Sequence, residues 1–103
     1  MSDKSVYIAI SSDVLHGGHL NVVAAGATYG DVTIGLLTDE AIATYKRPPL
    51  VDWETRRRLL ASMRQVHAVV PQETLSYADN LRRLKPDYVV HGDDWTTGVQ
   101  SLV

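Results

Sequence analysis

Two histidines bracket two glycines at His16-Gly17-Gly18-His19, just after the apolar run Val6-Tyr7-Ile8-Ala9-Ile10 and just before an Ala-rich segment of helical pattern. Imidazoles at that spacing fall on one side of a first helical turn, where free backbone N–H groups and the positive end of the helix dipole also gather. Gly17 and Gly18 leave room for a ligand to lie against the backbone. The group that suits such a turn is a phosphate; the competing reading is that both rings cap or pack at a helix start. A second place is Arg56. On a helix from Trp53 to about Gln65, Leu59, Leu60 and Met63 define an apolar face, with Arg56 in its middle one turn earlier and Arg58 nearly opposite. An inward arginine needs an anion, supplied either by a ligand or by a carboxylate of the chain itself. Arg64 lies at the edge of the same face, and Arg57 and Arg58 read as a solvated face. A third place is Lys46-Arg47, in an aperiodic segment from Thr38 to Val51 that holds two prolines, the kind of connection that carries function. The fourth is Gly92-Asp93-Asp94-Trp95, where carboxylates can accept from ribose hydroxyls and an indole can flank a base; equally, the aspartates can cap a helix beginning near Val99.

The elements that must position these residues alternate between strand and helix. Ser5 to Ser11 is a β-branched strand, residues 19 to 29 read as helix, and Asp31 to Leu37 reads as a second buried strand. Asp52 caps a helix to about Gln65, and Val66 to Val70 forms a third strand ended by Pro71. Ser76 with Asp79 resembles a capping box opening a short helix to Leu84, and Asp87 to His91 is the fourth strand. Continuous apolar strands separated by helices predict an α/β, Rossmann-like three-layer fold: a parallel sheet flanked by helices, with ligands beyond the carboxyl ends of the strands. The His16 and Gly92 turns both follow strands and belong on that rim.

Composition narrows the classes. At 103 residues and 45% hydrophobic content, the chain reads as one domain with a small core, which a partner subunit would help to complete. A net charge of −2, with no basic run, argues against a nucleic-acid surface. No cysteine is present, so disulfides, thiolate catalysis and Cys-based zinc sites are excluded, and a reducing compartment fits. The amino-terminal apolar run is too short for a signal peptide and no run reaches membrane-spanning length; the expectation is a cytoplasmic protein.

The segment Asp13-Val14-Leu15-His16-Gly17-Gly18-His19 resembles the histidine signature of the nucleotidyltransferase superfamily. Leu37-Thr38-Asp39-Glu40, Trp53-Glu54-Thr55-Arg56 and His91-Gly92-Asp93-Asp94-Trp95 stand in the order seen in its cytidylyltransferases, so the likeness covers most of the chain. Glycerol-3-phosphate cytidylyltransferase is similar in all these segments. The run from Asp87 to Trp95, Tyr45-Lys46-Arg47 and Pro71-Gln72-Glu73-Thr74-Leu75 look closer to the cytidylyltransferases of phosphonate biosynthesis, including phosphonoformate cytidylyltransferase and the domains accompanying phosphoenolpyruvate mutase.

The resemblance implies transfer of CMP from CTP to a small phosphonate acceptor, with Mg²⁺ and pyrophosphate release; the alternatives are a glycerol-3-phosphate enzyme or a non-catalytic nucleotide-binding or docking domain. Within it, His16, His19, Lys46 and Arg56 are the catalytic set. Ser11, Ser12, Gly17, Gly18, Arg64, Gly92, Asp93, Asp94 and Trp95 bind the nucleotide, and Asp13 helps to orient a metal held mainly by triphosphate oxygens. A homodimer is implied as well. His67 has no matching partner and reads as structural; His91 could face the ligand. Ser12 stands where the family commonly has an aromatic residue, and Gly17 where it has a bulky or cyclic one. The chain ends at Leu102-Val103, where related enzymes continue into a Ser/Thr-rich segment with an arginine for the β- and γ-phosphates. The expectation is therefore a single domain over residues 1–103 lacking that segment, with a helix begun near Val99 and cut off.

Overall fold

The computed structural model describes residues 4–11, 17–44, 51–74, 76, 78–92 and 97–101, with side chains placed for 4–11, 20–44, 51–74, 76 and 78–90. In chain order the elements are β1 (Ser5–Ile10), α1 (Gly17–Ala27), β2 (Asp31–Leu37), α2 (Asp39–Ala43), α3 (Trp53–Ala61), β3 (Val66–Gln72), α4 (Ala78–Leu84), β4 (Tyr88–Gly92) and β5 (Thr97–Ser101). They form one five-stranded sheet in the order β3-β2-β1-β4-β5. The first four strands are parallel, as expected from apolar runs separated by helices.

The period of two along each strand sorts the side chains into two layers. Val6, Ile8 and Ile10 of β1 stand in register beside Val32, Ile34 and Leu36 of β2, and Val6 and Ile8 also stand beside Tyr88 and Val90 of β4. With Val23 of α1 and Leu60 of α3 they make the main core. Gly26 of α1 lets that helix approach: a methyl there would come within 2.9 Å of Ile8 Cδ1.

The opposite face carries Tyr7, Gly35 and Gln72 under α4. Tyr7 Oη donates to Gln72 Oε1 at 2.6 Å, and Asn80 Nδ2 of α4 donates to Tyr7 Oη at 2.8 Å. Leu37 packs with Ala41 and Ile42 of α2 as a smaller cluster. Helix α4 stops at Lys85, whose φ of 49° is a left-handed stop, and Pro86 follows.

Five sequence expectations are corrected. Residues near Val99 form strand β5 rather than a helix, and β5 pairs antiparallel with β4, Val90 beside Val99. The free edge of β4 offers backbone partners that a short turn can deliver, and a Val-bearing segment meets them with no helix-capping requirement. Helix α2 occupies part of the segment read as aperiodic; five residues are too few to show a period, but Thr38 caps it and Asp39 and Glu40 fill its first turn. Strand β3 continues through Pro71 to Gln72, because it is an edge strand whose outer side needs no N–H donor there. Helix α3 closes at Ala61 instead of Gln65, with Ser62 as its carboxyl cap. Leu59, read as part of the buried face of α3, is 48% exposed.

Candidate active site

Strand β1 lies between β2 and β4, so the chain winds outward one way through β2 and β3 and then returns to add β4 on the other side of β1. That reversal opens a crevice beyond the carboxyl ends of β1 and β4, the place where α/β sheets of this winding take their ligands. Ile10 ends β1 and Gly92 ends β4, with Ile8 and Val90 paired just below. The connection after Ile10 leads into α1 at Gly17, and the one after Gly92 leads into β5. The connections after β1 and β4 therefore leave the sheet from neighbouring strand ends.

Helix α1 begins at Gly17, two residues earlier than its sequence pattern suggested, so Gly17, Gly18 and His19 form its first turn. The N–H groups of a first turn lack intrahelical acceptors and carry the positive end of the dipole, which is what an anion at this rim would meet. The helix packs on β1, β2, β4 and β5, which holds its amino-terminal end at the carboxyl rim. Ser11 follows β1 directly and is half-buried. The expectations placed on Ser12, Asp13, His16, Lys46, Asp93, Asp94 and Trp95 lie outside the described residues, as do those on the side chains of His19 and His91.

Arg56 is inward, 2% exposed, and its anion is found within the chain. Nη2 donates to Asp39 Oδ1 at 2.6 Å, Nη1 to the Leu37 carbonyl at 3.0 Å and Nε to the Val51 carbonyl at 3.0 Å. Trp53 Nε1 donates to the Leu36 carbonyl at 2.9 Å beside it. The start of α3 is thereby fastened to the carboxyl end of β2, on the crevice rim. Asp52 caps α3 through Oδ1, which accepts from Thr55 N–H at 2.9 Å. That hydrogen bonding, aided by the nearby Arg56 charge, holds the Asp52 carboxyl below its usual range. The partner of Arg56 was missed from sequence, although Thr38 followed by two acidic residues was a legible sign of a helix start at Asp39.

Among the described residues, Arg64 is the proposed nucleotide ligand that the fold places away from this rim. It is exposed in the turn between α3 and β3, and Val66 just after it pairs with Val32 at the start of β2. It therefore sits at the amino-terminal rim, the opposite end of the sheet from the crevice, because α3 runs back antiparallel to the strands. His67 is exposed where a register shift between Val32 and Thr33 leaves it opposite no residue of β2. A further cleft of about 240 Å³ opens at the end of β3, lined by Gln72, Thr74, Ser76, Asp79, Asn80 and Arg83 among others. Gln72 and Asn80 of its lining also bond the buried Tyr7 hydroxyl, and Asn80 Oδ1 accepts from Arg83 Nη2 at 3.0 Å. Sequence reasoning missed this network; Gly35 within an otherwise bulky strand was its one sign.

The strand order and helix placement define an α/β domain of the Rossmann-like kind. Residues 11–102 match the cytidylyltransferase-like family model, and the chain belongs to that family. It is 32% identical over 87 residues to the bifunctional protein HldE of Methylobacillus flagellatus, covering 82% of this chain and 18% of that protein. It is 34% identical over 91 residues to ethanolamine-phosphate cytidylyltransferase of Mus musculus, covering 86% of this chain and 22% of that enzyme. The chain thus spans about a fifth of the length of the curated relatives it matches. Among solved structures, the lipopolysaccharide core biosynthesis protein of Thermoplasma volcanium superposes with a TM-score of 0.78 at 17% identity, over 84% of this chain and 71% of that one. No described helix is long and apolar enough to cross a membrane.

Proposed function

We propose that this chain binds CTP, as its Mg²⁺ complex, across the carboxyl ends of β1 and β4 and transfers the cytidylyl group to a small phosphate or phosphonate acid. An acceptor oxyanion attacks the α-phosphorus in line, the new P–O bond forms as the bond to the bridging oxygen breaks, and pyrophosphate leaves. The protein's part is position and positive charge. His16 and His19 donate to the α-phosphate oxygens, with Gly17 and Gly18 allowing close approach at the first turn of α1. Asp93 and Asp94 take the ribose hydroxyls, Trp95 flanks the base, Ser11 and Ser12 line the nucleotide, and Lys46 serves the phosphates. Magnesium arrives with the triphosphate, whose oxygens hold most of its coordination, and Asp13 helps to orient it.

The observation that carries this reading is the start of α1, at Gly17-Gly18-His19, beside the winding reversal between β1 and β4. Family membership makes CTP the expected nucleotide. For the acceptor, a phosphonate is supported by the likeness of residues 45–47, 71–75 and 87–95 to phosphonate cytidylyltransferases, and ethanolamine phosphate by the murine relative. A homodimer in the cytoplasm belongs to the same reading, on the grounds of the small core and the absence of cysteine.

The test is phosphorus NMR of reactions holding isotope-labelled CTP, Mg²⁺ and a panel of phosphonates, ethanolamine phosphate and glycerol phosphate. A new anhydride signal between CMP and one acceptor is expected, and His19→Ala should lower its rate on the order of 10² to 10³-fold, the loss typical of one oxyanion donor. CTP binding with no product from any acceptor would reject transfer and leave a nucleotide-binding domain.

A further inference from the structure

The connection that leaves β2 at Leu37 and enters α3 at Trp53 is joined at both ends by one buried guanidinium. At its start, Arg56 holds the Leu37 carbonyl and the Asp39 carboxylate; at its end, it holds the Val51 carbonyl. The same corner is tied to the sheet twice more, by Trp53 Nε1 to the Leu36 carbonyl and by Thr38 N–H to the Gln72 carbonyl at 3.0 Å. Asp39 is the exposed partner, its side chain 38% accessible against 2% for Arg56, so the pair stands with its acid at the surface and its base in the interior. A planar fork with fixed donor directions can reach three acceptors on two stretches of chain; a lysine ammonium offers charge but no such spread. Each of the three nitrogens of Arg56 donates to the chain itself, on both sides of the connection, which points to a role in holding that connection.

We propose that Arg56 is a positioning residue, acting through Asp39 and the carbonyls of Leu37 and Val51 to set where the β2–α3 connection leaves and re-enters the crevice rim. Its kinetic consequence rests on the transfer reaction proposed above; its structural consequence does not. Arg56→Lys removes the fork and keeps a positive charge. Asp39→Asn keeps an oxygen acceptor within reach of Nη2 and removes the negative charge, on the more accessible side of the pair.

The experiment compares both variants and their combination with the unaltered chain by amide hydrogen exchange and by steady-state kinetics with Mg²⁺ and CTP. Exchange at residues 38–44 and at Val51 is expected to quicken about tenfold in either variant, with β1 and β2 changed less than about twofold, as for a local opening. Turnover is expected to fall about tenfold in kcat with KM for CTP within about twofold, and the double variant should resemble Arg56→Lys alone, since both changes break one unit. Unchanged exchange in both variants overturns the proposal. So does a wild-type kcat in Asp39→Asn alongside an Arg56→Lys whose main defect is a raised KM, which would put Arg56 on substrate. If the unaltered chain turns over no acceptor, the transfer reading falls by itself, and the exchange arm still decides whether Arg56 anchors the connection.

Discussion

At the scale of single residues, the second face of the sheet depends on the absence of one side chain. Gly35 lies under the Tyr7 ring, and a methyl there would overlap the phenol oxygen and its ring carbon and come within 2.9 Å of Gln72 Oε1. The tyrosine could yield only by giving up its bonds to Gln72 and from Asn80, all three being buried. Gly35→Ala is therefore expected to lower unfolding free energy by about 3 kcal/mol, overpacking added to unsatisfied polar groups, as read from the urea midpoint. Arg56 shows the same interior logic with a charge. Its inward direction was legible because the period of 3.6 placed it on the face of Leu60; the identity of its anion was not, since Asp39 is far away along the chain and meets it only when α3 folds back on β2.

At the scale of elements, α3 carries a stability that depends on acid. Its first turn holds Asp52, kept below the ordinary 3.8 chiefly by hydrogen bonding from Thr55, and Glu54, kept below 4.5 chiefly by its hydrogen bond with Arg57. A carboxyl whose folded pKa is depressed stabilises the fold above its unfolded pKa and loses that contribution as pH falls through the folded one. Stability should decline as the solution passes below about pH 4. Asp52→Asn retains a good cap at neutral pH and removes one of the titrating groups, so its urea midpoint should match the unaltered chain near pH 7 and fall less steeply in acid. The elements themselves were read correctly where a run was long and periodic. They were misread at α2 and β5, each of five residues, where a capping residue or an open strand edge decides the conformation and no period can form.

For the whole molecule, the winding reversal separates two rims with different work. The carboxyl rim carries the ends of β1 and β4 and the first turn of α1. The amino rim is structural: Ser5 N–H donates to Asp87 Oδ2 at 2.8 Å, and Asp87 N–H returns to the Ser5 carbonyl at 3.0 Å, locking the starts of β1 and β4 together. Asp87→Ala is expected to lower stability by about 1–2 kcal/mol, the worth of a charge-assisted hydrogen bond, while kcat in the transfer assay stays within about twofold. His19→Ala should do the reverse, and measuring denaturation and turnover on both variants checks the division.

By itself, the order of residues determined the α/β class and the four parallel strands, because period and capping chemistry are local properties. It also brought the family likeness. Tertiary structure alone decided which turns become neighbours, because strand order is a long-range choice that no single strand encodes. That choice set the ends of β1 and β4 side by side, closed Arg56 onto Asp39 and carried Arg64 to the far rim. Arg56 and Arg64 share one helical pattern in the sequence, yet α3 runs antiparallel to the strands, so Arg56 near its start stays at the carboxyl rim and Arg64, in the turn past its end, falls at the amino rim.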